Sequence, residues 1–149
     1  MVKSPPENCA WVATENLRRY NPLDRKFWID QVVSTDQVIA ALIEGRLLDR
    51  PVGLHDDREY QDPQAHAARV AFFVQHGLSD QDFLEIDVGV PELNCFVREP
   101  VQDGNHRLAA ALIRGDEWVA CSIGGSETLI RKLFGRAVAR ELFQEARAA

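Results

Sequence analysis

The stretch VQDGNHRLAAALIRG, residues 101–115, constrains the fold more than any other part of this chain. Upstream of it, NCFVREPV has the alternation and the Val/Phe content of a strand. Downstream, LAAALIRG reads as a helix that Gly115 stops. The polar run Asp103, Gly104, Asn105, His106 and Arg107 therefore falls at a strand-to-helix turn. At such a turn the first N–H groups of the helix lack intrahelical partners, and the helix dipole favours an anion. Gly104 lets the backbone approach a phosphate without a Cβ in the way. The N–H groups of Asn105, His106 and Arg107 would point at that phosphate. Arg107 adds a planar fork for two oxygens, and His106 can donate to phosphate or shuttle a proton near neutral pH. Asp103 is acidic where an anion would sit, which calls for a magnesium ion or for polarisation of an attacking hydroxyl. The plain alternative is a tight turn in which Asp103 or Asn105 caps the helix, leaving His106 and Arg107 solvated.

Elsewhere the pattern is mixed α and β. Residues 1–25, with Pro5, Pro6 and Pro22, read as an arm with a short helix around Ala13–Tyr20, and residues 26–149 as the main domain. KFWIDQVVS looks like its first strand. STDQVIAALIEGRL is a helix capped at Ser34, Thr35 or Asp36 and ending near Gly45. DPQAHAARVAFFVQHG is a second, with Pro63 in its first turn and Gly77 as its stop. DFLEIDVGVP and EWVACSI supply further strands. The tail from Ser126 reads as one long amphipathic helix with the stripe Ile130, Phe134, Val138 and Leu142. Ala109, Ala110 and Ala111 let the motif helix pack closely on the sheet.

A chain of 149 residues, 46% hydrophobic and 27% charged, is long enough for a real core. Cys9, Cys95 and Cys121 show no CxxC spacing, and Cys95 and Cys121 fall in predicted strands as small buried hydrophobes. No apolar run reaches membrane-span length and the N-terminus lacks a signal-peptide core, so the expected setting is cytoplasmic, without membrane insertion. The net charge of −6 gives no long-range attraction to DNA, so any such contact needs a local basic face. Lys132, Arg136 and Arg140, four residues apart, offer one. They serve equally well as a solvated row. Asp56, Asp57, Glu59 and Asp62 read as a solvated acidic loop rather than a cation site, and SIGGSE as a turn rather than a second anion nest. His55, His66 and His76 show no ligand spacing.

The motif DGNHRLAAALIRG resembles the central box of the ParB/sulfiredoxin superfamily, in which a strand leads into Asp-Gly-x-His-Arg and a small-residue helix. The resemblance extends in element order over about residues 26–123. It implies an α/β (mixed α+β) fold, a small mixed sheet with flanking helices, closed here by the long C-terminal helix. In sulfiredoxins the position of Asn105 is a cysteine, so the sulfinic-acid chemistry is not expected here. Partition proteins carry a more arginine-rich box and a following helix-turn-helix domain, which this sequence does not show. The small stand-alone members are nucleotide hydrolases, nucleases, free-serine kinases and plasmid fertility-inhibition factors of the oncogenic-suppression type. The resemblance thus implies ATP or another nucleoside triphosphate with Mg²⁺, with DNA as a second substrate and a conjugation or secretion-system protein as a partner. Carried onto this sequence, it gives Gly104, Asn105, His106 and Arg107 the phosphate, and Asp103, His106 and Arg107 the chemistry, with Asp103 as metal ligand. Glu44 and Glu99 are weaker candidates for an additional acid. The rival readings are a non-catalytic inhibitor on the same fold and an amino-acid kinase.

Overall fold

The computed structural model describes residues 3–148 and has a mixed α/β fold. Its chain forms two compact units, each assembled from separate stretches: residues 1–20, 79–105 and 116–149 in one, 21–78 and 106–115 in the other.

The first unit holds a four-stranded mixed sheet in the order β1-β4-β2-β3. Strand β1 (Ala10–Ala13) runs antiparallel to β4 (Trp118–Gly124), pairing Ala10 with Cys121. On its other side β4 runs parallel to β2 (Leu84–Asp87), with Leu84 opposite Cys121. Strand β3 (Val101–Asp103) pairs antiparallel with β2, and the register is irregular between Glu85 and Ile86. Val12, Leu84, Ile86, Val119, Cys121 and Ile123 are buried in this unit, as are Ile130, Phe134 and Val138. Each fully buried Val, Leu or Ile contributes about 1.5–3 kcal/mol.

Three expectations fail here. Residues 10–13, read as part of an arm and short helix, form β1, followed by a 3-10 helix over Thr14–Tyr20. NCFVREP is not a strand. It forms a loop after a 3-10 turn at Pro91–Leu93, held by a bridge between Val90 and Cys95, and only Val101–Asp103 pairs. Cys95 is consequently exposed, whereas Cys9 and Cys121 are buried. The long C-terminal helix is two helices, α5 (Glu127–Phe134) and α6 (Arg136–Ala148). Gly135 between them takes φ 99° and ψ 168°, which no helix accommodates. The apolar stripe continues across the break because both helices bury the same kind of face, so its period alone hides the interruption.

The second unit is helical. Helix α1 (Thr35–Glu44) begins at a capping box: Ser34 Oγ accepts from Gln37 N, and Gln37 Oε1 accepts from Ser34 N. It stops at Gly45. After a single turn, α2 (Asp57–Tyr60), comes α3 (Pro63–His76), with Asp62 as N-cap, Pro63 in the first turn and Gly77 as stop. Helix α4 (Asn105–Arg114) follows the motif turn. Val38 and Ala41 of α1, Ala67, Val70, Ala71 and Phe73 of α3, and Ala109 and Ala110 of α4 form one apolar cluster with Leu23 and Val33. Ala109 and Ala110, which the sequence assigned to the sheet, thus belong to a helical core, where their small side chains admit close approach. KFWIDQVVS is irregular backbone, not a strand. Its buried residues Ile29 and Val33 anchor a loop, leaving Trp28 for another role.

Candidate functional site

Helix α3 buries His66, Ala67, Val70, Ala71 and Phe73 on one face. His66 is the anomaly in that apolar row, since it is fully inaccessible to solvent. A buried imidazole needs partners for both ring nitrogens. Its Nε2 lies 2.7 Å from the carbonyl oxygen of Tyr60, and its Nδ1 lies 2.9 Å from Nε2 of His106 in the first turn of α4. A carbonyl oxygen only accepts, so His66 carries its proton on Nε2. Neutral His66 then offers a lone pair at Nδ1, and His106 Nε2–H donates to it. A directional chain results, from His106 through His66 to the backbone of Tyr60. What remains to His106 is the Nδ1 lone pair. That atom is not among the buried polar atoms lacking a partner.

Four ring–ring contacts hold this arrangement. The two imidazoles are tilted by only 6° with centroids 5.2 Å apart, so they lie side by side in one plane. The indole of Trp28 stacks on both, at 4.8 Å from His66 and 4.5 Å from His106. Tyr60 meets His66 edge-on at 4.9 Å. Burial, with the neighbouring His66, Arg69 and Arg107, holds His106 well below the usual imidazole range. Burial also lowers His66, against the opposing pull of the Tyr60 carbonyl, Asp62 and Glu59. Both rings are neutral at pH 7, as the donor–acceptor chain requires.

Two guanidiniums accompany them. Arg69 and Arg107 both approach the Phe73 ring, with Cζ atoms 4.4 and 5.5 Å from its centroid. Arg69 also donates to the Leu48 carbonyl oxygen. Both side chains are partly accessible. Both also act electrostatically on His106.

The remaining motif residues belong to the sheet unit, and the division between units falls between Asn105 and His106. Asp103 ends β3, is exposed, and accepts from Gly104 N through Oδ1. Asn105 Nδ2 donates to the Val101 carbonyl oxygen across the turn. Gly104 has φ 94°, and a Cβ there would lie 2.6 Å from Leu84 Cδ2. Packing on Leu84 therefore demands this glycine before any ligand does.

The other sequence candidates have local occupations. Glu44 is exposed and pairs with Arg46 at 2.6 Å. Glu99 sits in the loop before β3, where its carbonyl oxygen accepts from Gln102. In the acidic loop, Asp56 caps α2 and Asp62 caps α3. Glu59 takes both oxygens to Arg50, at 2.6 and 2.7 Å, and accepts from Gly53 N, which draws its carboxyl down to about 2. In SIGGSE, Ser126 N donates to the Gly89 carbonyl oxygen, and Ser126 Oγ accepts from Leu129 N as the N-cap of α5. Lys132, Arg136 and Arg140 are all exposed, and so are His55 and His76. Among the described residues, no three His, Cys, Asp or Glu side chains gather into a metal site. No helix among them is long and apolar enough to cross a membrane.

Sequence reasoning missed His66 and Trp28. The available signal was the spacing: His66, Val70 and Phe73 recur as one buried helical face, so the histidine stood where an apolar residue belongs. Comparison with protein-family models, curated proteins and solved structures gives no match.

Proposed function

We propose that the chain binds a nucleoside triphosphate by its phosphates and hydrolyses a phosphate bond, with ATP as the first substrate to test and DNA phosphodiesters as the second. One observation carries the reading. His106 has Nε2 committed to His66 and a lone pair left on Nδ1, beside two guanidiniums that share Phe73. Arg107 and Arg69 would take phosphate oxygens and offset the charge that develops on the transferred group. His106 would supply the reacting lone pair. This revises the role read from the motif: a neutral His106 with Nε2 occupied accepts protons and does not donate to phosphate. The resemblance of the motif to the ParB/sulfiredoxin box points to the same substrate class, and such a substrate suits a cytoplasmic enzyme.

Magnesium fits in a limited way. With no gathered ligand set among the described residues, a metal ion would arrive on the nucleotide phosphates, where it would supply further charge neutralisation.

Calorimetric titration with ATP and Mg²⁺ tests the reading. A charge-assisted contact to phosphate is worth about 1.5–3 kcal/mol, so Arg107→Ala should weaken ATP binding roughly ten- to a hundredfold. Arg107→Lys should recover part of the loss, since it keeps the charge without the fork. A folded Arg107→Ala protein that binds ATP like wild type would sink the proposal. A second reading, a protein-binding inhibitor on this fold, is favoured by Leu93 and Phe96, which stand 73% and 74% exposed on the loop before β3.

A further inference from the structure

The hydrogen-bond chain says more about His106 than that it carries a lone pair. We infer that His106 Nδ1 is the nucleophile, attacking the γ-phosphorus directly to form a phosphohistidine that water then hydrolyses. The inference rests on the phosphate-hydrolase reading and deepens it.

Three features of the site support direct attack at phosphorus by Nδ1. First, the ring is fixed. Trp28 stacks on it at 4.5 Å and His66 holds Nε2 in the imidazole plane, so Nδ1 has one direction. A nucleophile oriented by a base, which is itself oriented by a third group, is the general signature of covalent catalysis. Here the order is His106, His66, Tyr60 carbonyl oxygen. Second, the partner of Nε2 is an acceptor, so the positive charge that attack at phosphorus places on the ring is drawn off through Nε2. Third, with Nε2–H donating to His66, neutral His106 carries no proton on Nδ1 that attack would have to displace.

The step balances without a further reactant. The Nδ1 electron pair forms the N–P bond as the P–O bond to the nucleoside diphosphate breaks, and that bonding pair leaves on the β-phosphate oxygen. The ring's remaining proton, on Nε2, moves toward His66 Nδ1, while the Tyr60 carbonyl oxygen keeps the other ring proton of His66 in place. Water next attacks phosphorus and the N–P pair returns to Nδ1. The Nε2 proton returns from His66, and the water proton leaves with orthophosphate. Arg69 and Arg107 neutralise the phosphoryl oxygens in both halves.

Two measurements on the full chain test this. ATP made isotopically chiral at the γ-phosphorus should release phosphate with retained configuration, since two displacements restore it. ATP labelled at the γ-phosphate, quenched in alkali, should leave an acid-labile label on the peptide containing His106, absent from His106→Gln. Retention supports the inference even where the intermediate is too brief to collect. Phosphate release with inversion overturns it and leaves the hydrolase reading standing. Absence of any ATP hydrolysis overturns both. Because the stereochemical measurement uses wild-type protein, a failure of His106→Gln to fold does not affect it.

Discussion

His66 and His106 show how one pair of side chains links fold stability to pH. Both are kept neutral in the folded protein, their pKa values pushed below the ordinary imidazole value of about 6.5 that the unfolded chain retains. The groups around them do not cancel this: Arg69 and Arg107 reinforce it at His106, while Asp62 and Glu59 only moderate it at His66. Below about pH 6.5 the unfolded chain therefore takes up protons that the folded one refuses. Stability is fully present above that pH and declines as pH falls toward the folded-state values, by at most about 1.4 kcal/mol per pH unit for each histidine. Urea unfolding at pH 7.5, 6.5 and 5.5 should show this decline, and His106→Gln should remove part of the slope. Equal slopes in wild type and variant would mean that His106 is charged in the folded state.

Helix α4 carries the same lesson one scale up, because glycines stand at both ends for different reasons. Gly115 has φ 74° with nothing within 4 Å of its missing Cβ, so Gly115→Ala costs only backbone strain, about 1–2 kcal/mol. Gly104→Ala would add to such strain a methyl group 2.6 Å from Leu84 Cδ2 and 3.2 Å from Leu84 Cα, for a total of about 2–4 kcal/mol. Denaturant titration of the two variants should rank them in that order. Equal losses would show that Leu84 yields freely, and that the motif's glycine is not a packing requirement. The ends of helices were the legible part of this sequence. Ser34, Gly45, Pro63, Gly77 and Gly115 stand where local backbone chemistry puts them, and the structure has each helix end there. Strands were legible only where flanking strands cover both sides, as in β4. KFWIDQVVS alternates like a strand, but its alternation serves a loop whose Val33 reaches the helical core and whose Trp28 covers two histidines. The histidine pair itself spans 40 residues of sequence, and no local pattern reports a hydrogen bond of that reach.

At the scale of the whole molecule, the division into two units interleaves along the chain, with crossings on either side of residues 106–115, and such a division leaves no mark in composition. Net charge, in contrast, is a whole-molecule property readable from sequence, and −6 sets the terms for any encounter with DNA. The long-range field repels the phosphate backbone, so binding must come from local cations that displace counterions, each contact contributing about 0.9 to the slope of log K against log salt. Lys132, Arg136 and Arg140 were read as one row on one helix. Gly135 breaks that row, leaving Arg136 and Arg140 one turn apart on α6 and Lys132 on α5. Arg136 and Arg140 should act as a pair. Replacing both by Ala should reduce the salt slope of DNA binding by about 1.8, whereas Lys132→Ala should leave it unchanged. ATP affinity should be unaffected in both variants, since none of the three residues belongs to the histidine–arginine group. Fluorescence anisotropy with a labelled duplex between low and moderate salt measures the slopes directly. A double variant with the wild-type slope would assign both arginines to a solvated face, and an equal contribution from Lys132 would show that the break at Gly135 leaves the row intact.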